Sequence, residues 1–196
     1  MLQSFVLPLA GFAFVMSITP GPNNLMLMAS GANFGFRRTV PHMLGVGFGF
    51  IFLAFMTGIG LAKVFEAFPW LHNVFTVVCL IYMLWLAWRI ANAAPPEKTA
   101  ATGTPMTFLQ AVAFQWVNPK AIAMALSAVT IYAPGDAVLD VLAVVLIFGS
   151  INLPSVSLWC VLGLQMRRLL TNQTRLVWFN RFMAFLLILS MYPVLA

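Results

Sequence analysis

Long apolar runs alternate with short polar connections along the whole chain. Six runs stand out, at roughly 4–33, 41–62, 70–90, 107–132, 138–164 and 177–195. Each is long enough to cross ~30 Å of hydrocarbon as a helix, which takes about 20 residues. They are continuously apolar and do not alternate every second residue, as the strands of a membrane barrel do. The pattern predicts an all-α membrane protein with six transmembrane helices. The one extended polar, turn-rich stretch lies at 92–105 and holds Pro95, Pro96, Glu97, Lys98, Gly103 and Pro105. It predicts a linker at about 91–106 inside a single transmembrane domain spanning 1–196. On either side lie halves of three segments each, at about 4–90 and 107–195.

The first and fourth runs exceed the length of one span, and both carry proline near the middle. The first contains Thr19-Pro20-Gly21-Pro22-Asn23-Asn24. Two prolines remove backbone donors and a glycine adds freedom, so an unbroken helix is not expected here. Within lipid, irregular backbone survives only when buried in protein or lining a cavity. The side chains of Thr19, Asn23 and Asn24 can supply the missing partners. The alternative is an ordinary proline kink. The fourth run repeats the device at Asn118-Pro119-Lys120. Three segments per half make the second half enter the membrane from the opposite side, so the halves are candidate inverted repeats. Corresponding Pro-interrupted helices in such repeats point to a carrier's midplane site. There, amide ends face a carboxylate and carbonyl ends face a cation.

Lys120 is the only ionisable residue deep in an apolar run. A charge there costs at least ~2.5–3.5 kcal/mol, so it should face the bundle interior or a water-filled cavity. Two readings stay open: it binds a substrate carboxylate or titrates, or it satisfies carbonyls freed by Pro119 or snorkels to one face. Trp116 either walls the same pocket or is a core aromatic. Asn152-Leu153-Pro154 predicts a weaker break in the fifth run, with Asn152 facing the cavity. Gly45 and Gly49 form a small-xxx-small pair that serves packing within the monomer or, alternatively, a homodimer seam.

Composition narrows the function classes. Of 196 residues, 62% are hydrophobic and 7% charged, whereas a soluble domain carries roughly 25% charged residues. A soluble fold of this size cannot hide so much apolar surface, which excludes a soluble enzyme, a nucleic-acid binder and a disordered scaffold. The net charge of +6 does not mark a nucleic-acid surface, because the basic residues sit in short connections. Arg37, Arg38, Arg89, Lys98, Arg167, Arg168, Arg175 and Arg181 follow runs one, three and five, against Lys63 alone on the opposite side. The positive-inside rule then makes the odd connections cytoplasmic and places both termini outside. Trp70, Tyr132 and Tyr192 fall at outer span ends, and Trp88 and Trp178 at inner ones.

No Lys or Arg precedes the first run, so it lacks the n-region of a cleaved signal and is expected to remain as a span. Cys79 and Cys160 lie in apolar runs and read as buried thiols, with a redox pair or soft-metal site as the alternative. His42 and His72 fall at opposite membrane ends without an acidic cluster. Neither a catalytic constellation nor a metal or cofactor site is expected. Glu66, Asp136 and Asp140 lie near outer connections and Glu97 in the linker, leaving no carboxylate at mid-depth.

TPGPNN at 19–24, Gly35-Phe36-Arg37, the glycine-rich second run and Asn118-Pro119-Lys120 together resemble the LysE/RhtB amino-acid exporter family over nearly the whole chain. Within it, YMLWLAWRIA at 82–91 and FQWVNPK at 114–120 look most like the branch that exports cysteine and O-acetylserine. The homoserine/threonine and leucine exporters come close behind. The resemblance implies a secondary carrier of the bacterial inner membrane that moves a small neutral or polar amino acid out of the cytoplasm, driven by the proton motive force. A channel, or an exporter of another small zwitterion, is the alternative. Pro20, Gly21, Pro22 and Asn23 match the family's first-helix motif, and Asn118, Pro119 and Lys120 its fourth-helix motif. Many members have Asp where this chain has Asn23. That departure tells against proton coupling through the first helix, and against lysine or arginine as substrate. Lys120, the substrate's ammonium or an outer Asp remain as proton carriers.

Overall fold

The computed structural model describes residues 2–92, 104–133, 138–169 and 172–189. Expectations for Glu97, Lys98, Asp136 and Tyr192, and for the side chains of Glu66, His72, Cys79, Arg167 and Arg168, lie outside the described residues. So does most of the expected linker.

Every regular element among the described residues is helical. In chain order these are α1 (Leu2–Ile18), α2 (Pro22–Phe34), α3 (Phe36–Met56), a π-type turn (Thr57–Leu61), α4 (Ala62–Ala67) and α5 (Pro69–Ala91). After the linker come α6 (Phe108–Gln115), α7 (Pro119–Tyr132), α8 (Val138–Leu169) and α9 (Gln173–Leu189). The first and fourth runs are each divided in two, at 19–21 and 116–118. Proline opens α2, α5 and α7, where its missing N–H is no loss and its fixed φ suits the first turn. A capping box starts α6: Thr107 accepts from the Gln110 amide at 3.3 Å, and the Gln110 side chain accepts from the Thr107 amide at 3.0 Å.

Two expectations are corrected. No basic loop separates the first two runs, because α3 begins at Phe36 and Gly35 alone makes the turn, at φ 79°. That left-handed conformation suits a residue without Cβ. Arg37 and Arg38 therefore stand on the first turn of α3, with the Arg38 guanidinium 5.4 Å from the Phe34 ring. Nor does Asn152-Leu153-Pro154 break the fifth run: α8 is continuous through Pro154. A lone proline removes one hydrogen bond, and neighbouring helices hold the rest in place.

That hold comes from close crossings. A Cβ on Gly31 would strike the backbone carbonyl of Cys160, and one on Gly163 the carbonyl of Met28, so α2 and α8 touch backbone to backbone. On α3, a Cβ at Gly45 would lie 2.5 Å from the Phe108 carbonyl oxygen, and one at Gly49 2.7 Å from Val112 Cα. Both glycines thus pack α6 onto α3 within the monomer, as small residues do in lipid.

The core divides into two apolar clusters with a smaller bridge. One gathers Leu9 and Ala13 of α1, Phe50 of α3, Met124 and Ala125 of α7, and Phe148 of α8. The other gathers Leu25 and Met26 of α2, Met83 of α5, Phe114 of α6, and Phe179 and Met183 of α9. The break at 19–21 carries the chain from the first cluster to the second, and the break at 116–118 carries it back. On the outside, Leu139 (78% exposed), Leu109 (74%) and Trp88 (64%) belong to a broad apolar surface suited to lipid. Phe36–Gly60 and Val138–Met166 are, among the described helices, long and apolar enough to span a membrane. The halves α1, α2, α6 and α7 are each too short to cross ~30 Å alone.

The crossings predict that Gly163→Ala costs about 1–3 kcal/mol by overpacking. Gly11→Ala, with nothing within 4 Å of its new Cβ, is neutral or gains roughly 0.5–1 kcal/mol. Thermal unfolding in detergent micelles checks this; equal melting temperatures for the two variants would contradict the crossing.

Candidate functional site

At the first break, Pro20 and Pro22 lack amides and Gly21 is extended (φ −176°). The carbonyls from 16 to 20 therefore lose their helical partners and need others. Each has one. The Thr19 hydroxyl turns back to the carbonyls of Val15, at 2.5 Å, and Met16, at 3.2 Å. The Asn24 amide donates to the carbonyls of Ser17 at 2.8 Å and Thr19 at 2.7 Å. The Trp159 indole N–H donates to the Ile18 carbonyl at 3.2 Å. Lys120 Nζ donates to the carbonyls of Thr19 at 2.7 Å and Pro20 at 3.3 Å.

The second break is satisfied differently. The end of α6 tightens into short-range bonds, from Trp116 to Ala113, Val117 to Phe114 and Asn118 to Gln115, at 3.1–3.4 Å. The Asn118 side chain accepts from the Lys120 amide at 3.2 Å and so caps α7. With its own break closed by backbone, Lys120 reaches across to the other one. Gly21 makes room: a Cβ there would stand 2.6 Å from Lys120 Cδ.

A reciprocal amide pair also ties the breaks together. Asn23 Nδ2 donates to Gln115 Oε1 at 2.8 Å, and Gln115 Nε2 donates to Asn23 Oδ1 at 3.2 Å and to the Ala111 carbonyl at 2.9 Å. Behind them, Asn152 donates to the Ser17 hydroxyl at 3.0 Å, while its buried carbonyl oxygen has no partner.

Gly21, Asn23, Asn24, Asn118, Lys120 and Asn152 line one cavity, along with Ser17, Phe50 and Met124. The space open to the centre of a water-sized sphere is only ≈ 20 Å³, room for about one water. Of the expected site residues, Thr19, Pro20, Pro22 and Pro119 do not line it; Thr19 and Pro20 contribute carbonyls, and the prolines set the backbone. Trp116 turns away, its ring 5.8 Å from that of Phe52 and packed on the first cluster. Ser17, Gln115 and Trp159 are additions. Gln115 was findable as a polar residue inside an apolar run; nothing in the pattern marks Ser17 or Trp159.

Lipid-suited helices meet here at two interrupted segments bridged by a lysine, the fold and site of an all-helical membrane-type protein. The chain matches the family described as LysE type translocator over residues 14–191 and belongs to it. It is 30% identical over 125 residues to the cysteine/O-acetylserine efflux protein of Klebsiella pneumoniae subsp. pneumoniae, covering 62% of this chain and 61% of that protein. It is 27% identical over 122 residues to the protein of the same name from Escherichia coli K12, covering 62% of each. The alignments thus span less than two thirds of these relatives. No solved structure matches the chain.

A double-mutant cycle on Asn23→Leu and Gln115→Leu should show coupling of about 0.6–1.7 kcal/mol, the range for polar pairs between membrane helices. Strictly additive losses in denaturant unfolding would mean that the pair does not link the breaks.

Proposed function

We propose that the protein is a secondary carrier of the bacterial inner membrane that exports a small neutral or polar amino acid, with the two breaks as its substrate site. The observation that carries this reading is the bond from Lys120 Nζ to the carbonyls of Thr19 and Pro20. An ammonium already sits where a substrate's ammonium would be received. A zwitterion entering the site offers its carboxylate to Lys120 and its ammonium to the vacated carbonyls, exchanging one charge-assisted set for another. Asn23, Asn24, Asn118 and Asn152 supply neutral donors and acceptors around it, suiting a polar, uncharged side chain. On this reading the cavity, with room for about one water, belongs to a state between loadings, and an amino acid enters once the helix halves part.

The reading also includes six spans arranged as two inverted three-helix repeats, supported by the opposite passages of the chain between the two core clusters. The positive-inside count supports cytoplasmic odd connections and outer termini. Cysteine and O-acetylserine are the first substrates to try, from the names of the relatives. Proton coupling is the expected drive. The described lining residues include no carboxylate, so the proton rides on Lys120, on the substrate ammonium or on an outer acid such as Asp140.

Export of cysteine and O-acetylserine from overexpressing cells tests the reading. Lys120→Ala is expected to lower the rate by about tenfold or more, the scale of losing a hydrogen bond to a charged group, and Asn23→Ala by a smaller factor. Wild-type rates in both variants at matched membrane levels would overturn the site.

A further inference from the structure

The cavity at the breaks has two unlike walls. One is polar, with Ser17, Asn23, Asn24 and Asn118 beside Lys120. The other is apolar and is formed by Met16, Phe50, Met124 and Val156. Phe50 and Met124 belong to the first core cluster, and Met16 packs against it. Helix register separates the walls. Met124 follows Lys120 by four residues on α7, so the two share a face one turn apart, about 5–6 Å between side chains. Met16 lies in the last turn of α1, just before the first break.

The polar side chains are bonded to the breaks and to one another. Asn24 donates to the carbonyls of Ser17 and Thr19, and Asn23 pairs with Gln115 in both directions. The Asn118 oxygen caps α7, and the Ser17 hydroxyl accepts from Asn152. An apolar side chain turned toward these groups would strand some of them, whereas the apolar wall has no bond to lose. A hydroxyl that reaches the apolar wall meets the opposite penalty, because it leaves water without finding a partner. Phe50 is the rigid member of this wall. It is 1% exposed, and its ring lies 4.7 Å from that of Phe148, which meets Phe12 edge-on at 6.0 Å. The two methionines, with three rotatable bonds each, adapt more readily than this backed ring.

We infer that the apolar wall is the side-chain subsite of the carrier, selecting amino acids whose short side chain ends in an apolar or thiol group, and that Phe50 limits the width it accepts. On the export reading, on which this rests, Lys120 and the carbonyls of the first break hold the α-groups while the side chain turns to Met16, Phe50 and Met124. A thiol suits such a wall, since sulfur packs favourably against an aromatic ring.

Transport of single amino acids by purified protein in proteoliposomes, compared as ratios of kcat/KM within one preparation, tests the subsite. Homoserine and norvaline differ only by a hydroxyl or a methyl at the end of the side chain. Wild type should favour norvaline by about tenfold or more. Phe50→Ala opens room for a benzyl group. Phenylalanine, which wild type should carry poorly, should then gain about tenfold or more relative to norvaline. Phe50→Leu, closer in volume and so safer for folding, should move the same ratio in the same direction by a smaller factor. Loss of folded protein does not imitate these effects, because both substrates are read on the same preparation. Equal or better transport of homoserine by wild type, or an unchanged phenylalanine ratio in the Phe50 variants, overturns the subsite and leaves the export reading standing. Transport of no amino acid by wild type overturns the export reading itself, and the subsite with it.

Discussion

Backbone carbonyls stripped of their helical amides, inside a structure that must sit in lipid, are the constraint on which the rest of this molecule depends. In hydrocarbon, where water does not reach, each one left bare costs several kcal/mol. At the first break the partners come from its own Thr19 and Asn24, from Trp159 on α8 and from Lys120 on α7. A local interruption of one helix therefore fixes the positions of two others. At the second break the backbone closes on itself through a tightened turn, and this is what releases Lys120 to serve the first. The asymmetry matters: two breaks that each satisfied themselves would leave a kinked bundle without a shared centre.

The demand for partners from α7 and α8 explains the glycines. Trp159 donates to Ile18 while Cys160, the next residue, passes under Gly31. The helix carrying the indole is brought close enough only because Gly31 and Gly163 let the two backbones touch. In lipid there is no hydrophobic pressure to bring helices together, so close packing and polar contacts must do it. Gly45 and Gly49 do the same for α3 and α6, and so set Gln115 at the end of α6 opposite Asn23. Backbone contacts and polar contacts thus specify one arrangement jointly.

Much of this was legible in the sequence, and the part that was not has a physical cause. Apolar runs announce helices because period and length suffice, and paired prolines announce a break because they subtract donors. The convergence of Asn23, Asn24, Asn118, Lys120 and Asn152 followed from their being polar where polarity is expensive. Pro154 misled because a single proline has the same appearance in a broken helix as in one held continuous by neighbours. Gly35 misled because Arg37 and Arg38 just after it read as a polar connection, whereas they stand on the first turn of α3 and Gly35 alone makes the turn. One of the two readings left open for Lys120 had it satisfy carbonyls freed by Pro119; the carbonyls it does meet lie a hundred residues earlier, a distance that no local pattern encodes. A larger cavity beside α2, apart from the breaks, was invisible for the same reason, being assembled from four helices and the stretch 104–106.

The hydrogen bonds at the first break also differ in how easily they can be exchanged. The carbonyls of Ser17 and Ile18 are held by an asparagine at the start of the next helix and by an indole packed between helices, both fixed by their surroundings. That of Pro20 is held by an ammonium on a four-carbon stem with several rotatable bonds, and that of Thr19 is shared between this ammonium and Asn24. A carrier needs a site that releases what it binds, so the groups that receive cargo must have a resting partner of nearly equal strength. A lysine ammonium replaced by a substrate ammonium meets that requirement, because like is exchanged for like and no carbonyl is stranded in between. On the proposed reading, the fixed pair keeps the break open as a scaffold and the exchangeable pair receives the substrate. Asn23 fits this division: an acid in its place would hold the ammonium of Lys120 and oppose the exchange.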